Sequence, residues 1–308
     1  MANTTLKKTI KKTVAAKKAP ALKDAQKKVS PKKVTPKGIT KVVVKKVKAQ
    51  AGKDGAILLK ATGMHAKGKL KEAWALYQSV LKADPSNFAA VHSMGLIAVQ
   101  MKSHQMAIDL FNIAIEIDPA SAKAYNNLAS AYFAQQDLPS ALKAYNKAIA
   151  LDEKYGDAIT NRGILLCRDG QYEKASDDFA AAIKLEPKNG QLHIYLANTA
   201  IALKELKSAL KSYQKALKLN PDNPVLLNNI GVLLCSTKAH KKAIECFTKA
   251  IDLQPKYAEA FNNRGAAHLE LGQYQEAVED YERALAVAPN YADAIQGRAQ
   301  ANLRMPNI

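Results

Sequence analysis

Apolar residues recur along residues 54–291 at the i, i+4, i+7, i+8 spacing of one helical face, and no segment shows the sustained two-residue alternation of a strand. The pattern has a fixed period, the distance from Pro85 to Pro119. Pro85, Pro119, Pro187, Pro221, Pro255 and Pro289 keep the beat, and Glu153 stands where it is missed. A fixed period of this size predicts one supersecondary unit stacked on copies of itself. Alignment on the prolines gives seven units: 54–87, 88–121, 122–155, 156–189, 190–223, 224–257 and 258–291. A last helix follows over about 292–304, with a short end at 305–308.

Within a unit, position 20 is always alanine, from Ala73 to Ala277, and position 24 is always Tyr or Phe, from Tyr77 to Tyr281. Position 28 is always Leu or Ile, and position 8 is always Ala or Gly. Small residues at 8 and 20 let two antiparallel helices approach closely, and the ring at 24 fills the space between neighbours. The proline at 32 cannot continue a helix, so each second helix is expected to end there. Gly170-Gln171-Tyr172 and Gly272-Gln273-Tyr274 mark the inner turn between the two helices.

The run Phe261-Asn262-Asn263-Arg264-Gly265, followed by Gly272-Gln273-Tyr274, Ala277, Tyr281, Ala284 and Pro289, resembles a tetratricopeptide repeat. Repeat 1 departs most, with Lys60 and Val80 at positions that are usually apolar or small, and repeat 3 lacks the proline. The resemblance implies an all-α fold: a right-handed superhelical solenoid of seven helix-turn-helix units plus a C-terminal capping helix. It also implies a groove lined by the first helix of each unit, at positions 2, 5, 6, 9, 12 and 13.

Asparagine is frequent at those positions: Asn126, Asn228 and Asn262 at 5, Asn127, Asn161, Asn229 and Asn263 at 6, and Asn198 at 9. A side-chain amide both donates and accepts, so a row of them can clasp a peptide backbone without reading its side chains. The row is similar to the asparagine ladder in the repeat arms of O-linked N-acetylglucosamine transferases, although Leu59, Ser93 and Tyr195 interrupt position 6. The same amides could instead bridge adjacent first helices and stiffen the stack. Lys123, Asn127, Asn161 and Arg168 come nearest to the carboxylate clamp of chaperone-binding repeats, but at the wrong spacing. Arg162, Arg264 and Arg298 share position 7, beside the helix seam. Their stems would cover the seam while the charged heads reach water, where they could meet an acidic ligand.

Residues 1–53 change the picture. They hold 17 lysines, no arginine and one acid, Asp24, for a net +16, whereas the whole chain is +19. The repeats therefore carry only +3. So much charge with so little apolar area predicts a disordered basic tail. Its lysines fall mostly in pairs, among them Lys27-Lys28 and Lys45-Lys46, and Ser30-Pro31-Lys32-Lys33 and Thr35-Pro36-Lys37 stand out. The segment resembles the Lys/Ala/Pro-rich tails of linker histones, which implies polyanion binding, with DNA as one such polyanion. Lacking any aromatic residue, it offers no base-stacking platform. A purely solubilising arm, or a contact for acidic protein or anionic lipid, is the competing reading.

Cys167, Cys235 and Cys246 are an odd, widely spaced set that suits neither a disulfide framework nor a zinc site. A reducing compartment is expected, cytoplasmic and either nucleoid-associated or nuclear if the tail meets DNA. Six scattered histidines, no phosphate loop and no nucleophile elbow predict no catalysis, metal or cofactor. The expected function is a non-enzymatic scaffold that binds a protein or peptide in its groove and docks its tail on a polyanion. The alternatives are a targeting arm or stand-alone relative of an O-linked N-acetylglucosamine transferase-type glycosyltransferase, and an assembly or secretion chaperone.

Overall fold

The computed structural model describes residues 55–305, whose regular structure is fifteen helices and no strand. The first helix, α1, spans 55–66. It is followed by α2 (Leu70–Ala83), α3 (Phe88–Gln100), α4 (His104–Ile117), α5 (Ala122–Ala134), α6 (Leu138–Leu151) and α7 (Gly156–Arg168). Then come α8 (Tyr172–Leu185), α9 (Gly190–Ala202), α10 (Leu206–Leu219), α11 (Pro224–Ser236), α12 (His240–Leu253), α13 (Ala258–Glu270), α14 (Tyr274–Val287) and α15 (Ala292–Arg304). The lysine-rich segment 1–53, with its expected disorder and its candidate residues, lies outside the described residues.

The chain divides into two units, Met1–Ala158 and Ile159–Ile308. In the first, α3 pairs with α4 and α5 with α6, and α4 packs on α5. In the second, α9 pairs with α10, α11 with α12 and α13 with α14, while α15 packs on α14 and α13. First helices also touch the next first helix, α3 against α5 and α11 against α13.

Two turns set this geometry. At the outer turn the Asp84, Asp118 and Asp152 carboxylates accept the N–H two residues on, at 3.1, 3.1 and 3.0 Å. Asn87, Ser121 and Asn223 then cap the next helix, accepting from the N–H of Ala90, Ala124 and Leu226. At the inner turn the backbone is left-handed at Gly68, Lys102, Gln136, Gly170, Lys204, Lys238 and Gly272, all at position 15. The carbonyls of Ala98, Tyr132 and Leu234 accept the N–H groups of Ser103, Asp137 and Ala239 across that turn, which satisfies the end of the first helix. Three of the seven turns have glycine there; four accept the strain of a side chain.

The core follows the repeat. Every position-20 alanine is fully buried, and every position-24 ring is buried. Six of the seven rings come in two kinds, and Tyr281, a tyrosine facing Gly265, belongs to neither. Tyr77, Tyr145 and Tyr213 face an alanine at position 8 and reach their hydroxyls to a polar residue at position 9. Thr62 accepts from Tyr77 at 3.4 Å, Ser130 shares a 3.0 Å bond with Tyr145, and the Asn198 carbonyl accepts from Tyr213. Phe111, Phe179 and Phe247 have no hydroxyl to place, and their rings sink towards the first helix. A Cβ on Gly95 or Gly163 would come within 2.5 or 2.8 Å of the ring, and one on Gly231 would overlap Phe247. Position 9 opposite them is Leu96, Ile164 and Val232. Burying each ring contributes roughly 3 kcal/mol.

Candidate functional site

The asparagines divide by depth. Asn126, Asn228 and Asn262 are buried, Asn228 completely. These three expected groove amides are interior, because position 5 turns towards the neighbouring first helix rather than outward. Asn228 donates to Glu259 at 3.3 Å and accepts from Asn263 Nδ2 at 3.0 Å, which ties α11 to α13. Asn126 and Asn262 donate to the adjacent Asn127 and Asn263 at 3.4 and 3.5 Å. Asn127 Nδ2 lies 2.9 Å from His92 Nε2, tying α3 to α5. Asn161 and Asn229 are half-buried. Asn198 is exposed, and its carbonyl holds the Tyr213 hydroxyl.

His92 completes the bridge in the first unit. It lies stacked on Phe88 at 5.4 Å and tilted against Phe111 at 5.6 Å. Burial, helped by the Lys123 ammonium, pushes its imidazole down to about 4. A neutral Nε2 accepts the Asn127 amide, so the proton sits on Nδ1.

Two of the three position-7 arginines, Arg162 and Arg264, do not send their heads to water as the sequence suggested. Arg162 Nε and Nη2 clasp Asp178 at 2.8 and 2.6 Å, and Arg264 clasps Asp280 at 2.9 and 2.7 Å. Both carboxylates are buried. The hydrogen bonds it donates to Asp178 hold the Arg162 guanidinium above its ordinary value. Arg264 also donates to Thr248 at 3.0 Å and lies over the Phe261 ring. A carboxylate at position 23 explains the difference: a fork-to-fork pair satisfies both ions inside the seam. These two heads are occupied by the fold.

The outward surface of α11 is Val225, Asn229 and Val232, spaced i, i+4, i+7. It lies opposite the face of Leu227, Ile230 and Gly231 that is buried with α12. Val225 is 52% exposed and Val232 47%. The matching positions on α13 are Glu259, Asn263 and Ala266. This strip joins apolar side chains, amides and a carboxylate on two touching helices. Sequence reasoning missed the valines, because two apolar residues on a helix read as core until burial is known. In the first unit a cleft of about 690 Å³ is lined by Asn112, Tyr125, Leu128, Tyr132, Lys143 and Ala144. The tyrosines at positions 4 and 11 were its only signal.

Cys235 and Cys246 are thiols whose pKa burial raises, Cys235 to about 11, which suits small packing residues. No group of His, Cys, Asp and Glu among the described residues is arranged to hold a metal. No helix among them is long and apolar enough to cross a membrane.

Helix pairs that recur at one fixed period define the class of helical-repeat proteins. Family models of the tetratricopeptide repeat match residues 122–155 and 258–291, and further ones match 65–122 and 160–224. Others cover 144–175, 212–245 and 233–272. The chain belongs to the tetratricopeptide repeat family. Among solved structures it is similar to YrrB, described as a TPR protein with an unusual peptide-binding site. The match has 26% identity over 61% of this chain and 97% of that one, with a TM-score of 0.55. PilF of Pseudomonas aeruginosa matches at 21% identity over 69% and 97%, with a TM-score of 0.58. The C-terminal part of a TPR repeat-containing protein from Cytophaga hutchinsonii matches at 15% over 78% and 98%, with a TM-score of 0.66. The last two share the fold alone. No curated protein matches the sequence.

Proposed function

We propose that this chain is a scaffold that binds an extended peptide segment on its first helices and docks residues 1–53 on a polyanion such as DNA. The observation that carries the peptide reading is the pair of exposed valines, Val225 and Val232, flanking half-buried Asn229 on α11 beside Asn263 and Ala266 on α13. Valines exposed at this level, flanked by amides, suit a segment that lays an apolar side chain between them and hydrogen-bonds through its backbone. Glu259 and Glu270 flank the strip and favour a basic residue in the ligand. The peptide-binding description of YrrB supports the reading by likeness. Val232→Asp should abolish capture of a bound peptide while leaving the helical content intact. Capture that survives both Val225→Asp and Val232→Asp would rule the strip out.

The tail reading rests on the charge split, +16 in residues 1–53 against +3 in the rest. Lysines release counterions from phosphates, so affinity for a random duplex should fall by ~10³–10⁵ between ~50 and ~200 mM salt. Full-length protein and protein lacking residues 1–53 are to be compared by gel shift across that range. Equal affinity of the two would refute the tail reading.

A further inference from the structure

We propose that the cleft between α4, α5 and α6 is a second peptide site, which takes an acidic segment anchored by one aromatic side chain. Its charge preference is the reverse of that of the α11 strip, which Glu259 and Glu270 flank. Tyr125, Leu128 and Tyr132 stand at i, i+3, i+7 on α5 and form one side of the cleft. Lys143, Ala144 and Lys147 of α6 form the other, and Asn112 of α4 completes the lining.

The opening has a cause in the sequence. In repeat 2 position 23 is Leu110, buried together with Met94 at position 7, and position 11 is the fully buried Ala98. In repeat 3 position 23 is only Ala144, and positions 4 and 11 are the tyrosines. A methyl group stands where the preceding repeat has a leucine, and a space of about 690 Å³ is left above the seam. Leu128 and Ala144 are buried and make its apolar floor, between two half-buried rings. The Tyr125 and Tyr132 hydroxyls are in no hydrogen bond with a described residue, whereas the Tyr145 hydroxyl is held by Ser130.

Charge and shape select the occupant. Lys143 and Lys147 are exposed, one helical turn apart, and in no ion pair with a described residue. The lining includes no acid, for Asp109 and Glu116 of α4 lie outside it. Rings and floor suit a flat apolar body, and the two ammonium groups suit carboxylates beside it. The volume falls within the range of ligand sites, but Lys143, Asn146, Lys147 and Ala150 are all exposed, so the cleft is a trough along α6. A free aromatic acid would stay half in water there. A peptide that lays one ring on Leu128 continues along the trough, where Asn112 and Asn146 present amides to its backbone. Residues 1–53 hold no aromatic residue and a single acid, which excludes them as the occupant.

The test is fluorescence anisotropy of the full-length protein with a labelled peptide, Gly-Asp-Glu-Trp-Asp-Glu-Gly, at about 150 mM salt, which screens the lysines of residues 1–53. Ala144→Leu fills the cleft with the side chain that repeat 2 carries, and should weaken binding at least about tenfold with the melting temperature kept. Lys143→Gln with Lys147→Gln changes only exposed side chains and should weaken it to a similar degree, which decides the matter if Ala144→Leu melts early. Alanine in place of the peptide tryptophan should also cost at least about tenfold. Binding indifferent to the glutamine pair or to a stably folded Ala144→Leu, as adsorption to residues 1–53 would be, would overturn the proposal. So would no binding up to the solubility of the peptide. Displacement by indole acetate at the concentration at which unlabelled peptide displaces would overturn it too, because the cleft would then hold a small aromatic acid.

Discussion

Phe247 rests its ring against the bare backbone of Gly231, closer than any Cβ there would allow. Gly231→Ala gains about 1 kcal/mol of helix propensity. It also forces the ring of a fully buried phenylalanine to move, which costs about 1–3 kcal/mol. The overlap wins, because Ala243 and Ala267 close the space around the ring. Gly231→Ala is expected to destabilise the α11–α12 pair by about 1–2 kcal/mol, read as faster hydrogen exchange in those helices. Adding Val232→Ser and Phe247→Tyr converts the pair to the tyrosine kind seen at Ala129, Ser130 and Tyr145, and should recover most of the loss.

The clasp of Arg162 on Asp178 gives a second expectation. Asp178→Ala leaves a largely buried guanidinium without its carboxylate and should cost about 3–5 kcal/mol. Arg162→Leu with Asp178→Ala reproduces the Leu128–Ala144 pairing and should be close to neutral. Urea titration of the single and double variants checks the sign. A single variant as stable as its parent would show that the pair contributes nothing to the seam.

His92 makes stability depend on pH. Its folded value, about 4, lies below the ordinary 6.5, so the unfolded chain binds the proton more readily between these values. The contribution is fully present above about pH 6.5 and is lost as pH falls towards 4. His92→Asn would place an amide opposite Asn127, as Asn228 stands opposite Asn263. That variant should flatten the melting-temperature profile over this window and leave the bridge in place.

The four inner turns with a side chain in the left-handed conformation are improvable. Lys238 has φ 61°, where a Cβ costs about 1–2 kcal/mol and glycine costs little. Lys238→Gly loses part of that gain to the greater freedom of the unfolded chain, and should net about 0.5–1 kcal/mol of stabilisation. Thermal melts of Lys238→Gly and Lys204→Gly read it directly.

The fold was legible in the chain because its signals are local: the proline beat, the alanine at 20 and the ring at 24 each act within one hairpin. What escaped was relational. Arg162 and Asp178 stand on different helices of one hairpin, and each reads alone as a surface charge. Asn127 and His92 stand one repeat plus one position apart, so an aligned column never shows them together. The amides were visible as candidates, but their depth was not. Position 5 and position 6 are neighbours in sequence, yet Asn228 is interior and Asn229 half-buried. The coupling of Gly at 8 with Phe at 24 could have been read by comparing columns, since Gly95, Gly163 and Gly231 accompany Phe111, Phe179 and Phe247.

Site-specific photocrosslinking in cell extract tests the central claim most directly. A photoreactive residue replaces Val232 on the outward face of α11, Lys249 on the exposed side of α12, or Lys32 in the basic segment, one at a time in the full-length protein. The account predicts one discrete protein adduct from position 232 that survives nuclease, none from position 249, and adducts from position 32 that nuclease removes. The same adduct from 249 as from 232, or nuclease-resistant adducts alone from position 32, would contradict it.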